Sequence, residues 1–129
     1  MTRFNISAVD HVAIGVADVE RSSAFYARVL GFERMIPEWD VPVVMGNGAM
    51  GLAIFDRELH PSPTADDTPA PAVRIMHIAF RVDRAGFDAA HRELADEDFT
   101  LTFTDHGVSH SLYFRDPDGH LIELTTYEL

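Results

Sequence analysis

The chain contains no cysteine, which excludes disulfides, thiolate nucleophiles and sulfur-ligated metals. Positive charge is also scarce: 10 Lys and Arg stand against 21 Asp and Glu, for a formal net charge of -11. That balance argues against nucleic acid, whose phosphates need clustered cations, and against an anionic membrane surface. No apolar run approaches the roughly 18 residues of a membrane span. The amino terminus, Met1-Thr2-Arg3-Phe4-Asn5-Ile6, lacks the apolar core of a signal peptide. What remains is the expectation of a cytoplasmic protein.

The 129 residues fit one ordinary domain, and 47% apolar with 24% charged residues is normal for a soluble globular chain. The order of elements reads as two copies of one unit. Residues 7–16 are β-rich, and Asp18 is placed to cap a helix running to Leu30, with Gly31 as its stop. Phe25, Tyr26, Val29 and Leu30 form its apolar face. Short strands are predicted at 32–36, 41–45 and 50–55, with Gly46-Asn47-Gly48 as the hairpin between the last two.

The second copy predicts a strand over 74–82, a helix over 83–96 and strands over 99–103, 109–114 and 120–127. Phe87, Ala90, His91 and Leu94 share the helix face. Asp116-Pro117-Asp118-Gly119 turns the chain before the last strand. Each unit is thus β-α-β-β-β, and three strands in a row after a helix favour a curved, mostly antiparallel sheet. The units cover about 5–56 and 74–129 and are joined by about 57–73, where Pro61, Pro63, Pro69, Pro71, Asp66 and Asp67 defeat helix and strand alike.

Three residues carry the chemistry. Asp10-His11-Val12-Ala13 and Met76-His77-Ile78-Ala79 are near copies, each setting one histidine in the middle of a strand-like run. Strand parity puts His11 with Ala13 and Gly15, and His77 with Ala79 and Arg81, so small neighbours leave room beside each ring. Glu123 lies between Ile122 and Leu124, where an unpaired carboxylate is costly to bury. A lone strand histidine is most often a hydrogen-bonded core residue. Equivalent histidines in duplicated units, however, can converge on one point. Two histidines and one carboxylate make an open-sided metal site, and Fe(II), Mn(II), Zn(II), Co(II) and Ni(II) all suit nitrogen and oxygen donors.

Paired β-α-β-β-β units bearing these motifs resemble the vicinal oxygen chelate superfamily of glyoxalases, extradiol dioxygenases, fosfomycin-resistance thiol transferases and bleomycin-binding proteins. The resemblance covers essentially the whole chain. It implies an α+β fold of two paired modules forming a cup-shaped open barrel, and a homodimer as the usual assembly. It also implies His11, His77 and Glu123 as metal ligands, with Fe(II) or Mn(II) as the metal. The fourth ligand position of the group falls at Leu52 or Ala53, and neither can bind a metal. Glyoxalase-type and epimerase-type members generally use a ligand there.

Extradiol ring-cleaving dioxygenases use two histidines and one glutamate at the three matched positions. Their motif around the last ligand is satisfied by Thr104-Asp105-His106, Leu112-Tyr113, Asp116-Pro117, Gly119 and Glu123. The resemblance gives Tyr113 and His106 the role of hydrogen-bonding the metal-bound substrate. It offers only His60 for a further acid–base histidine, at loose spacing. Many such enzymes also carry two paired domains where this chain has the length of one. The thiol transferases also use His, His and Glu, but they have a hydroxyl where this chain has Ala13, and cations that are missing after Glu123. Metal-free drug-binding members lack the ligand set. The expected function is therefore an extradiol-type dioxygenase cleaving a catechol or vicinal diol. A thiol transferase or glyoxalase-like lyase comes second and a binding protein third. His110 and His120 are read as peripheral, and Trp39 as a residue of the cup lining or of packing.

Overall fold

A computed structural model describes residues 5–59, 75–97 and 99–129. The chain parts into two compact units, residues 1–66 and 67–129. The first runs β1 (His11–Val16), α1 (Val19–Leu30), β2 (Glu33–Arg34), β3 (Val43–Gly46) and β4 (Gly51–Asp56). The second repeats the order with β5 (Ile78–Arg81), α2 (Arg84–Asp96), β6 (Thr102–Asp105), β7 (His110–Arg115) and β8 (Leu121–Thr126). Each unit therefore has the expected β-α-β-β-β order, and the class is α+β.

The sheets have equivalent topology, β1-β4-β3-β2 and β5-β8-β7-β6. In each, the opening strand pairs parallel with the closing strand, and the other two pairings are antiparallel. The parallel pair follows from the helix, which carries the chain back across the sheet and lets the first strand join the last.

Local chemistry sets both helices. The Asp18 carboxylate accepts from the Arg21 N–H at the start of α1, and Gly31 at φ 68° closes its end with a bond to the Tyr26 carbonyl. Asp83 caps α2 in the same way by accepting from the Gly86 N–H. Of the predicted α1 face, Phe25 and Tyr26 are buried and Ser22 joins them, while Val29 and Leu30 are half-buried. Phe87 and Leu94 are the buried residues of α2. His91 is exposed and lies parallel to Phe103, ring centroids 5.9 Å apart.

In the second unit the sheet has two distinct faces. Phe87 of α2 meets Phe103 at 6.2 Å and His110 at 6.3 Å, and strand register places Leu112, Leu124 and Phe80 on that same helix-covered side. Full burial of such side chains stabilises by about 1.5–3 kcal/mol each. Residues of the opposite parity, Tyr113 and Glu123 among them, occupy the other side.

Strand limits differ from expectation in a way that matters for the site. Neither histidine is in mid-strand: His11 is the first residue of β1, and His77 immediately precedes β5. Among the described residues β1 pairs with β4 and starts where β4 starts, His11 opposite Gly51, whereas the pairing of β5 with β8 starts at Ile78 opposite Ile122. β6 lies three residues later than its predicted start, because its register runs from Thr102 opposite Tyr113. Phe99 instead packs edge-on against Phe114 at 5.6 Å.

Candidate metal centre in the second unit

β8 brings Glu123 to the middle of the sheet, between β5 and β7. Ala79 is its partner on β5 and Tyr113 its partner on β7. His77 is one pleat before Ala79 and so shares the face of Glu123. The two side chains meet: His77 Nε2 is 2.9 Å from Glu123 Oε1. Glu123 is only 8% exposed, so its charge needs partners.

The second carboxylate oxygen has one in Ser111, whose hydroxyl donates to Glu123 Oε2 at 2.8 Å. Ser111 Oγ is also 3.3 Å from Thr125 Oγ1. Tyr113 stands beside this group, its ring edge-on to His77 at 5.8 Å. Its phenolic oxygen is 3.2 Å from His106 Nε2. Burial first, and then the charge of and hydrogen bond to Glu123, push the Tyr113 phenol above its usual range, against a smaller opposite effect of Ser111. The phenol therefore keeps its proton at neutral pH and can donate it in a hydrogen bond.

The donor set fits a divalent ion. Two ligand atoms at about 2.1 Å from a metal and at right angles to each other are about 3.0 Å apart. The His77–Glu123 separation of 2.9 Å matches that edge. Among the described residues no group of three His, Asp or Glu side chains that could hold a metal is gathered. The second unit supplies a pair.

His11 belongs to the first unit. Asp10 Oδ2 accepts from its Nδ1 at 2.8 Å, which leaves Nε2 as the nitrogen free to ligate. Register also resolves the position equivalent to Glu123. His11, Ala13 and Ala53 correspond to His77, Ala79 and Glu123, since Ala13 pairs with Ala53 as Ala79 pairs with Glu123. Leu52 and Ala53 alternate across the strand, so they cannot both occupy that face. Ala53 does, with Val44 at the place of Tyr113.

The remaining sequence candidates separate cleanly. His106 lies beside the Tyr113 hydroxyl. His110 lies on the helix-covered side between Arg84, at 3.0 Å, and Asp105, at 3.6 Å. The backbone N–H of His120 donates to Asp116 Oδ1 in the turn before β8. Trp39 is 49% exposed, and its carbonyl accepts from Arg34. His60 lies outside the described residues. Sequence reasoning missed Ser111 and the role of Asp10. Parity was the available signal for Ser111, which is two residues from Tyr113 on a strand facing a buried acid.

A family model for the Glyoxalase/Bleomycin resistance protein/Dioxygenase superfamily matches residues 8–124. The metallothiol transferase FosB of Staphylococcus saprophyticus is 28% identical to this chain, over 94% of it and 78% of the relative. The catechol-2,3-dioxygenase of Bacillus subtilis is 29% identical over 90% of this chain, but that span is only 40% of the relative. A glyoxalase/dioxygenase structure from Nostoc punctiforme matches with a TM-score of 0.77 at 21% identity, covering 100% of this chain and 97% of that one. That last likeness is one of fold.

Proposed function

The chain belongs to the glyoxalase/bleomycin resistance protein/dioxygenase superfamily, and on that footing we propose that it is a metal-dependent, extradiol-type dioxygenase cleaving a catechol or vicinal diol. The observation that carries this reading is the line of side chains from His77 through Glu123 and Tyr113 to His106 on one face of the second sheet.

His77 and Glu123, with His11 as third ligand, would hold Fe(II) or Mn(II). The chemistry such an ion would supply when bound is Lewis acidity toward a diol and a path for electron density between diol and dioxygen. The protein's part is geometry and protonation. Ala53 withholds a fourth ligand and so leaves positions for substrate. The protonated Tyr113 hydroxyl is placed to donate to an oxygen of the substrate, and His106 Nε2 behind it can hold or return that proton. His60, in its loose spacing to His77, is proposed only as a further proton carrier. A small molecule is the partner this chemistry requires, and a homodimer is the proposed assembly.

One observation favours a second reading, a metallothiol transferase. The match to FosB spans most of that relative, whereas the match to the dioxygenase spans less than half. Both readings use the same ligands, and His106 beside Tyr113 distinguishes the first. The test is oxygen uptake by Fe(II)-loaded protein with a panel of catechols, run beside thiol addition to an epoxide by Mn(II)-loaded protein. Catechol-dependent oxygen consumption with a yellow ring-cleavage product supports the dioxygenase. Thiol consumption without oxygen uptake replaces it with the transferase.

A further inference from the structure

We propose that Ser111 is a positioning residue that limits Glu123 to one coordinating oxygen and thereby sets which ions the centre accepts. The inference rests on the metal reading above and adds a residue that the motifs leave unassigned. Ser111 is fully buried, and its hydroxyl donates to Glu123 Oε2 at 2.8 Å while Oε1 faces His77 at 2.9 Å. The two carboxylate oxygens are thus given different work by two different partners. A hydrogen bond to a carboxylate is among the stronger kind, and in a buried setting it holds the acceptor in one orientation. Thr125 Oγ1, 3.3 Å from Ser111 Oγ, fixes the serine in turn.

Coordination chemistry supplies the consequence. Ca²⁺ takes six to eight oxygens and commonly uses both oxygens of a carboxylate. First-row transition ions accept a single carboxylate oxygen beside imidazole nitrogens. With Oε2 turned toward Ser111, the first mode is disfavoured and the second remains. The repeat offers no replacement carboxylate, because Ala53 takes the corresponding place in the first unit. A one-oxygen Glu123 also leaves one more position for substrate than a two-oxygen Glu123 would.

The experiment is calorimetric titration of the full chain with Mn²⁺ and with Ca²⁺, for the natural protein, Ser111→Ala and Ser111→Thr. The natural protein should bind Mn²⁺ and discriminate against Ca²⁺. Ser111→Ala should weaken Mn²⁺ binding by about 10- to 100-fold and narrow the Mn²⁺ to Ca²⁺ preference by about tenfold or more. Ser111→Thr, which keeps the hydroxyl, should restore both. Affinity and preference within about twofold of the natural values in a folded Ser111→Ala would overturn the role of Ser111 and leave the metal reading intact. A natural protein that takes up no Mn²⁺, Fe²⁺ or Ca²⁺ would overturn both. Should Ser111→Ala fail to fold, a crystal structure of the Mn²⁺-loaded natural protein decides. Oε2 on Ser111 and away from the ion supports the proposal, and both oxygens on the ion refute it.

Discussion

His77 Nε2 and Glu123 Oε1 are 2.9 Å apart, although 46 positions separate the two residues along the chain. The parallel pairing of β5 with β8 makes this contact, by setting Ala79 opposite Glu123 and His77 one pleat away. In the proposed centre both atoms would be ligands. Divalent metal should therefore stabilise the fold, by about 2.7 kcal/mol at a concentration 100 times the dissociation constant. A thermal melt with and without Mn²⁺ checks this, and Glu123→Gln should abolish the upward shift.

Tyr113→Phe should leave metal affinity nearly unchanged and lower turnover by about 10²-fold or more, the scale of losing a positioned proton donor. His106→Ala should act in the same direction but more weakly, because His106 reaches the reaction through the tyrosine. Steady-state rates with a saturating catechol, beside metal content, separate the two effects. An unchanged rate for Tyr113→Phe would make the tyrosine a packing residue.

Asp88 supplies a prediction about pH. The Arg84 guanidinium, which donates to its carboxylate at 2.7 and 3.1 Å, holds the group below the usual carboxylate range despite opposing desolvation. A depressed folded pKa means that this contribution is present above the unfolded value of about 4 and is lost as pH falls through the folded value. An NMR titration should show the Asp88 carboxyl titrating below an ordinary aspartate. Arg84→Gln should return it to the ordinary range.

Phe87 joins α2 to the sheet through Phe103 and His110 and is wholly buried. Phe87→Ala should cost about 3–5 kcal/mol, from lost transfer energy and the cavity left behind. Urea denaturation followed by circular dichroism measures it. Asp18→Ala, which removes only a helix cap, should cost about 1 kcal/mol on the same assay.

What the sequence revealed and what it hid divide along physical lines. Helix ends were legible because caps are local: Asp18, Gly31 and Asp83 act on residues within five positions. The Asp116-Pro117-Asp118-Gly119 turn was legible too, and it joins the strands on which Tyr113 and Glu123 face each other. Strand ends were not, because they depend on pairing with β4 and β8, and those partners are distant in sequence. Ser111 was overlooked for a related reason. Its partner is a single carboxylate oxygen on the neighbouring strand, and only side-chain geometry distinguishes that bond from an ordinary buried serine.

The most direct measurement is the metal content of anaerobically purified natural protein set beside His11→Ala, His77→Ala and Glu123→Ala, with circular dichroism as a check on folding. The account predicts one divalent ion per chain in the natural protein and none in each folded variant. Full metal content in any folded variant would contradict the three-ligand centre and remove that residue from it.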